Sequence, residues 1–177
     1  DFGSQYTQLI ARRVREIGVF SEVKPSSIST EQIIEMNPSG IILSGGPETV
    51  TISSSQKVHK SLLESKIPIL GICYGMQTIA NELGGSVVKS DVREFGHAEI
   101  SHVNQSILFD NVSFDSDSLD VWMSHGDKVE FPPENFEIIV SSKDCKVAGF
   151  QNSDSKIYGL QFHPEVTHTN QGEQILS

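Results

Sequence analysis

Two short apolar runs, at residues 40–44 and 67–72, constrain the fold of this chain more than any other feature. Neither run alternates between apolar and polar residues, so each is typical of a strand that is buried on both faces. Gly45-Gly46-Pro47 breaks the first run, and Gly71-Ile72-Cys73-Tyr74-Gly75 joins the second run to a helix. Strands of this kind occur in parallel sheets that helices cover on both sides.

The rest of the pattern completes an α/β prediction. Elements alternate between strand and helix up to residue 86, and short strand-like runs follow it. We expect a single domain over residues 1–177, a three-layer sandwich with a mostly parallel central sheet, flanking helices and an antiparallel-rich second half. The predicted helices are 4–18, 30–36, 55–65, 74–83 and a short one from Asn170; the predicted strands are 19–23, 40–44, 67–72, 86–88, 99–103, 121–124, 136–141, 147–151 and 157–162.

The first four residues, Asp1-Phe2-Gly3-Ser4, have the pattern of a strand end that runs into a helix. Ser4 is the predicted N-cap of that helix and Gly18 its predicted end. We therefore expect that the first strand is truncated and that the chain is part of a larger gene product.

Charge and cysteine content narrow the class of protein. The chain has 13 Lys and Arg against 23 Asp and Glu, a net charge of −10, which argues against a nucleic-acid partner or an anionic membrane surface. No apolar run approaches the roughly 20 residues that span a bilayer. Two cysteines make no disulfide framework, so we expect a cytoplasmic protein. No metal is expected, because none of the six histidines has a zinc-site spacing.

The candidate nucleophile is Cys73. Its surroundings, Gly71-Ile72-Cys73-Tyr74-Gly75, match the G-x-nucleophile-x-G elbow with cysteine in place of serine. The glycines permit a sharp strand-to-helix turn, and the partial positive charge of the helix N-terminus favours thiolate over thiol. The alternative is that Cys73 is a small buried hydrophobic residue.

A candidate base lies in His163-Pro164-Glu165, directly after the apolar run 157–162. Residues two apart in an extended segment point to the same side, so Glu165 is placed to orient the His163 imidazole. The alternative is a surface histidine beside a solvated glutamate. The glycine turn Ser44-Gly45-Gly46-Pro47 has two interpretations as well. It is either an ordinary β-turn or one half of an oxyanion hole, with the N–H of Tyr74 as the other half.

These pieces together resemble the triad-type, class I glutamine amidotransferases. The matching motifs are Ser44-Gly45-Gly46-Pro47, Gly71-Ile72-Cys73-Tyr74-Gly75-Met76-Gln77 and Phe162-His163-Pro164-Glu165. The resemblance implies a flavodoxin-like fold and a reaction in which a cysteine thioester hydrolyses glutamine to glutamate and ammonia. It implies a catalytic triad of Cys73, His163 and Glu165 and an oxyanion hole at Gly46 and Tyr74. The residues implied to bind the substrate are Gly45, Gln77 and a turn formed by Ser124, His125, Gly126 and Asp127.

Three further segments resemble the members of the family that serve GMP synthesis: Asp1 to Tyr6, Arg93 to Gly96 and Trp122 to Asp127. In those members the ammonia passes to an ATP-pyrophosphatase synthetase domain or subunit, which converts xanthosine monophosphate to GMP. ATP and magnesium are expected only in that synthetase part, which this sequence lacks, and no cofactor is expected here. Residues 91–96 are the candidate partner surface. The alternatives are an amidotransferase for anthranilate or carbamoyl phosphate synthesis, or a non-catalytic regulatory module.

Overall fold

Five α-helices and seven strands make up the part of the chain that the structure describes. The computed structural model describes residues 1–90 and 95–177 with their side chains and residues 91–94 as strand backbone. No helix among them is long and apolar enough to cross a membrane. In chain order the elements are α1 (Thr7–Glu16), α2 (Thr30–Glu35), β1 (Ile41–Leu43), α3 (Lys60–Leu63), β2 (Ile69–Ile72), α4 (Tyr74–Glu82), β3 (Ser86–His102), β4 (Ser118–Phe131), β5 (Glu137–Ser142), β6 (Gly149–Asn152), β7 (Ile157–Leu160) and α5 (Gly172–Leu176).

The strands form one mixed sheet in the order β1-β2-β7-β6-β5-β3-β4. β1, β2 and β7 are parallel to one another, and every other neighbouring pair in that order is antiparallel. The predicted α/β class and antiparallel second half are confirmed. The sheet is more antiparallel than predicted. β7 pairs with β2 in parallel, and beyond β7 the strands β6 and β5 follow in antiparallel pairs.

Helices cover both faces of the parallel strands, as predicted. In β2, Ile69 packs in a core with Met76 of α4, whereas Ile72 packs on the opposite side with Ile10 of α1. Alternate residues of a strand point to opposite faces, so one four-residue strand contributes to both layers. The central strand that carries the candidate nucleophile is therefore fixed from both sides.

Three local predictions are wrong: one strand, the length of one helix and one N-cap. Residues 19–23 do not form a strand, because no described strand pairs with them and a groove separates them from β1. The helix predicted at 55–65 is reduced to α3, and the turns before it are irregular. Helix α1 has Tyr6 rather than Ser4 at its N-cap, although the Ser4 hydroxyl still accepts a hydrogen bond from the Tyr6 N–H at 3.0 Å.

A long antiparallel ribbon replaces the short strands predicted between residues 86 and 124. β3 and β4 pair from Ser86↔Phe131 to Ser101↔Ser118, with irregularities between Ser86 and Val87 and between Lys89 and Glu94. Backbone pairing needs no apolar side chain, which is why the polar stretches of both strands escaped a hydrophobicity-based prediction. The segment Ser124 to Asp127, predicted as a turn, lies inside β4. The candidate partner surface at 91–96 includes side chains outside the described part of the chain.

Candidate active site

The candidate site lies where three neighbouring parallel strands end. β2 is paired with β1 on one side and with β7 on the other, through Leu43↔Gly71 and Gly71↔Gly159. The glycine turn follows β1, Cys73 follows β2, and His163 comes three residues after β7. Because the carboxyl ends of parallel strands meet at one edge, the topology brings the three predicted pieces together.

Cys73 is on a strained elbow. Its backbone has φ 53° and ψ −107°, a conformation that residues with a side chain rarely adopt and that costs about 1–3 kcal/mol. The Cys73 N–H donates to the Leu160 carbonyl at 2.7 Å, so the ladder with β7 continues to the turn itself. Helix α4 begins at the next residue. The predicted strand–elbow–helix geometry is confirmed.

The flanking glycines allow the close packing that the elbow needs. A methyl group at Gly71 would lie 2.6 Å from the carbonyl carbon of Gly75 and from the amide nitrogen of Met76. A methyl group at Gly75 would overlap the carbonyl oxygen of Leu43 and lie 2.8 Å from its carbonyl carbon. Neither position has room for a side chain, so the first turn of α4 packs directly on the backbones of β1 and β2.

His163 and Glu165 form a buried pair. His163 Nδ1 lies 2.7 Å from Glu165 Oε1, and the two side chains are 4% and 0% exposed. Burial alone would lower the pKa of His163, but hydrogen bonds with Cys73 and Glu165 and the charges of those groups raise it to about 10. The structure thus brings the predicted cysteine, histidine and glutamate into one chain of contacts and favours a protonated imidazole beside the thiol.

The turn after β1 borders both catalytic candidates. A methyl group at Gly45 would lie 3.3 Å from His163 Cε1 and 3.7 Å from Cys73 Cβ. A methyl group at Gly46 would lie 2.8 Å from the Phe2 carbonyl oxygen and 3.4 Å from the Tyr74 ring. The structure therefore places Gly46 beside Tyr74, whose N–H is in the first turn of α4 and has no acceptor within the helix. A role for these two N–H groups as an oxyanion hole stays a prediction.

The serine at the start of that turn holds it in position. Buried Ser44 Oγ accepts a hydrogen bond from the Phe2 N–H at 2.9 Å and donates one to the Gly45 carbonyl at 2.8 Å. The first residues of the chain are in turn held by the segment after residue 19, because the Asp1 carbonyl accepts from the Ser26 N–H at 3.1 Å. The glycine turn after β1 is thus held in position by hydrogen bonds to the first residues of the chain.

The residues predicted to bind substrate lie beside the nucleophile. The Cys73 thiol donates to the Ser124 carbonyl at 3.5 Å, and Gln77 Nε2 donates to the Asp127 carbonyl at 2.8 Å. His125 is 3% exposed, and its burial lowers its pKa to about 4, so it is neutral at physiological pH. β4 therefore forms one wall of the site, Gly126 included, while substrate binding by these residues remains a prediction.

Several residues around Cys73 and His163 were not predicted from the sequence. Gln161 is fully buried, and its Nε2 lies 3.7 Å from Cys73 Sγ. Thr169 Oγ1 donates to the His163 carbonyl at 2.6 Å, and the Tyr6 ring lies edge-on to the His163 ring with 5.3 Å between centroids. Only Gln161 carried a signal in the sequence, as a polar residue inside the apolar run 157–162.

Comparison with known proteins shows the family to which this chain belongs. The family described as glutamine amidotransferase class-I matches residues 1–177. The chain belongs to this family. It is 53% identical over 99% of its length to GMP synthase [glutamine-hydrolyzing] from Teredinibacter turnerae and 54% identical over 99% to the protein of that name from Ruthia magnifica. The chain spans about a third of the length of these curated relatives, 34% in both cases.

Solved structures show the same fold. A crystal structure from Thermoplasma acidophilum, assigned to a GMP synthase subunit, is 33% identical, with a TM-score of 0.85, over 99% of this chain and 86% of that one. A glutamine amidotransferase from Thermotoga maritima is 26% identical, with a TM-score of 0.70, over 94% of this chain and 71% of that one. The predicted class I glutamine amidotransferase-like fold is therefore confirmed.

Proposed function

We propose that this chain hydrolyses glutamine to glutamate and ammonia, with Cys73 as nucleophile, His163 as acid and base, and Glu165 as the group that orients His163. One observation carries the proposal: a strained cysteine at the start of a helix borders the same glycine, Gly45, as a buried histidine whose Nδ1 is 2.7 Å from a buried carboxylate. This is the arrangement of a nucleophile, a base and an orienting acid.

In the first half of the reaction, the Cys73 thiolate attacks the side-chain amide carbon of glutamine. The carbonyl oxygen takes up negative charge, which the N–H groups of Gly46 and Tyr74 stabilise; one such donor is typically worth about 10²–10³ in rate. The protonated His163 then gives its Nε2 proton to the amide nitrogen. The carbon–nitrogen bond breaks, ammonia leaves, and a glutamyl thioester remains on Cys73.

In the second half, neutral His163 takes a proton from a water molecule at Nε2. The hydroxide attacks the thioester carbon, the carbon–sulfur bond breaks, and glutamate leaves. The electron pair returns to sulfur, so thiolate and protonated imidazole are restored for the next cycle. Glu165 fixes the imidazole through its contact with Nδ1 and stabilises the positive charge of the ring.

We further propose that the ammonia serves GMP synthesis. The names of the relatives from Teredinibacter turnerae and Ruthia magnifica support this, and so does the sequence likeness in the segments Asp1 to Tyr6 and Trp122 to Asp127. The partner is then an ATP-pyrophosphatase synthetase domain or subunit that converts xanthosine monophosphate to GMP. ATP and magnesium belong to that part, and the amidotransferase step itself needs no cofactor. A cytoplasmic location is part of the proposal, since a thiol nucleophile stays reduced there.

A reconstitution experiment tests the choice of pathway. The chain is mixed with a synthetase partner, xanthosine monophosphate, ATP and magnesium, with glutamine as the only nitrogen source. We expect GMP to form in proportion to the glutamate released, measured by chromatography. An ammonium salt in place of glutamine is the control that the synthetase is active.

Two other outcomes would overturn the pathway assignment. Ammonia delivery to an anthranilate or carbamoyl phosphate synthetase, with none to the GMP partner, would place the chain in a different pathway. Amination from ammonium but never from glutamine, with any of the three partners, would favour a non-catalytic regulatory module.

A further inference from the structure

A buried glutamine that the mechanism does not use lies against the nucleophile. Gln161 comes directly after β7 and is 0% exposed, and its Nε2 lies 3.7 Å from Cys73 Sγ. Its Oε1 accepts a hydrogen bond from Gln77 Nε2 at 3.3 Å. The Gln161 amide thus contacts a sulfur atom through its nitrogen and a second amide through its oxygen. Burying polar groups is costly unless they are paired, so we expect this buried amide to serve a function.

A backbone carbonyl determines which way both amides face. The Asp127 carbonyl can only accept a hydrogen bond, so the group of Gln77 that lies 2.8 Å from it must be the NH₂. The same NH₂ then faces Gln161, which must present its oxygen to Gln77. With its oxygen so placed, Gln161 turns its own NH₂ toward Cys73. Along this chain of contacts, the Asp127 carbonyl accepts, the Gln77 NH₂ donates, the Gln161 oxygen accepts and the Gln161 NH₂ donates. This order fixes the orientation of both amides.

We propose that Gln161 is a further residue of the reaction centre, which holds the Cys73 sulfur and stabilises its negative charge by donating an amide N–H, with Gln77 as the positioning residue that keeps this N–H aimed at the sulfur. The proposal rests on the assignment of Cys73 as nucleophile. It explains why an amide is buried here, since a hydrogen bond to a charged group contributes more stabilising free energy than one to a neutral group.

The consequence is a thiolate that two kinds of group stabilise. The pair of His163 and Glu165 acts through charge, and Gln161 acts through a neutral donor that cannot be titrated. His125 in β4 is a further titratable group in this neighbourhood, and it stays neutral at physiological pH because its burial lowers its pKa to about 4. Replacement of Gln161 alters none of these titratable groups.

Alkylation of Cys73 by iodoacetamide tests the proposal without glutamine turnover. The rate at the Cys73 peptide is followed by mass spectrometry from pH 5 to pH 10 in the full chain. In Gln161→Met, which removes the donor and keeps the length of the side chain, we expect the midpoint of the pH profile to rise by about one unit. In Gln161→Glu, which sets a carboxylate oxygen against the sulfur, we expect a larger rise.

Gln151→Met is the matched control. Gln151 is also a buried glutamine, 4% exposed, whose Nε2 donates to the Gln105 carbonyl at 2.9 Å and to Glu137 Oε1 at 2.6 Å. Its loss removes a buried amide outside the site. We expect a lower melting temperature for this variant and an alkylation profile that superimposes on that of the unchanged protein.

The outcomes separate this inference from the proposed function. If Gln161→Met melts as a folded protein and its alkylation profile keeps the original midpoint, Gln161 has no role at the sulfur. The assignment of Cys73 as nucleophile would be unaffected by that result. If Cys73 of the unchanged chain alkylates no faster than a free cysteine at neutral pH, the nucleophile assignment itself fails. Should Gln161→Met not fold, Gln77→Met frees the Gln161 amide to rotate, and an unshifted midpoint in that variant overturns the proposal.

Discussion

Replacing Cys73 with alanine is expected to reduce glutamine hydrolysis by a factor on the order of 10⁴ or more, because loss of a nucleophile removes the covalent route and leaves only residual stabilisation by the rest of the site. The backbone of residue 73 already has a positive φ, so alanine inherits the strained conformation rather than creating it. The measurement is glutamate release in the presence of the synthetase partner, over a range of glutamine concentrations. We expect the loss in kcat, with the fold retained.

The second cysteine provides the control. Cys145 is fully buried in the connection between β5 and β6, where its thiol donates to the Val147 carbonyl at 3.4 Å. Cys145→Ala is expected to lower the melting temperature through a lost core contact and to leave the kcat for glutamine unchanged. Undiminished turnover in Cys73→Ala would remove the basis for the triad, because nothing else in the proposed mechanism attacks the amide.

Gly75→Ala is expected to destabilise the fold by about 3 kcal/mol or more, although helix propensity alone would favour alanine inside α4 by about 1 kcal/mol. The added methyl group would overlap the carbonyl oxygen of Leu43 and lie 2.9 Å from its side-chain Cβ, so the backbone of β1 or α4 has to move. For a chain of this size such a loss lowers the melting temperature by about 6–12 °C. Thermal unfolding followed by circular dichroism measures it.

Gly40→Ala is the matched substitution for this test. A methyl group at Gly40 would lie 3.6 Å from the Pro68 carbonyl oxygen, an ordinary contact distance, and so the change in stability should stay within about 1 kcal/mol. If Gly75→Ala is as stable as the unchanged chain, then the close approach of α4 to β1 does not determine the geometry of the elbow, and the steric account of the glycines is wrong.

The elbow could be predicted from sequence because all its causes are local. A buried strand, two glycines and a helix start lie within a few residues of Cys73, and each of them restricts the backbone by itself. His163 and Glu165 followed for a similar reason, since they continue an apolar strand whose parallel pairing brings its end to the same edge. The order of β1, β2 and β7 then brings the three segments of the site together, because the residues that follow adjacent parallel strands have little freedom in where they lie.

Other parts depended on contacts that no local pattern carries. Residues 19–23 have strand-like composition, yet a strand exists only when another strand pairs with it. The polar middle of β4 forms a wall of the site through the carbonyls of Ser124 and Asp127, and a carbonyl is present whatever the side chain. Gln161 was the one visible exception in an apolar run, and its importance appears only when Gln77, 84 residues away in sequence, is seen beside it.

The most direct test of the central claim is the mass of the protein after reaction with a glutamine analogue that carries an electrophilic diazoketone or chloroketone. The two cysteines, Cys73 and Cys145, make the answer unambiguous. We expect a single adduct, located on Cys73 by peptide mapping and prevented by excess glutamine. An adduct on Cys145, or hydrolysis that continues after the analogue has reacted fully with Cys73, would contradict it.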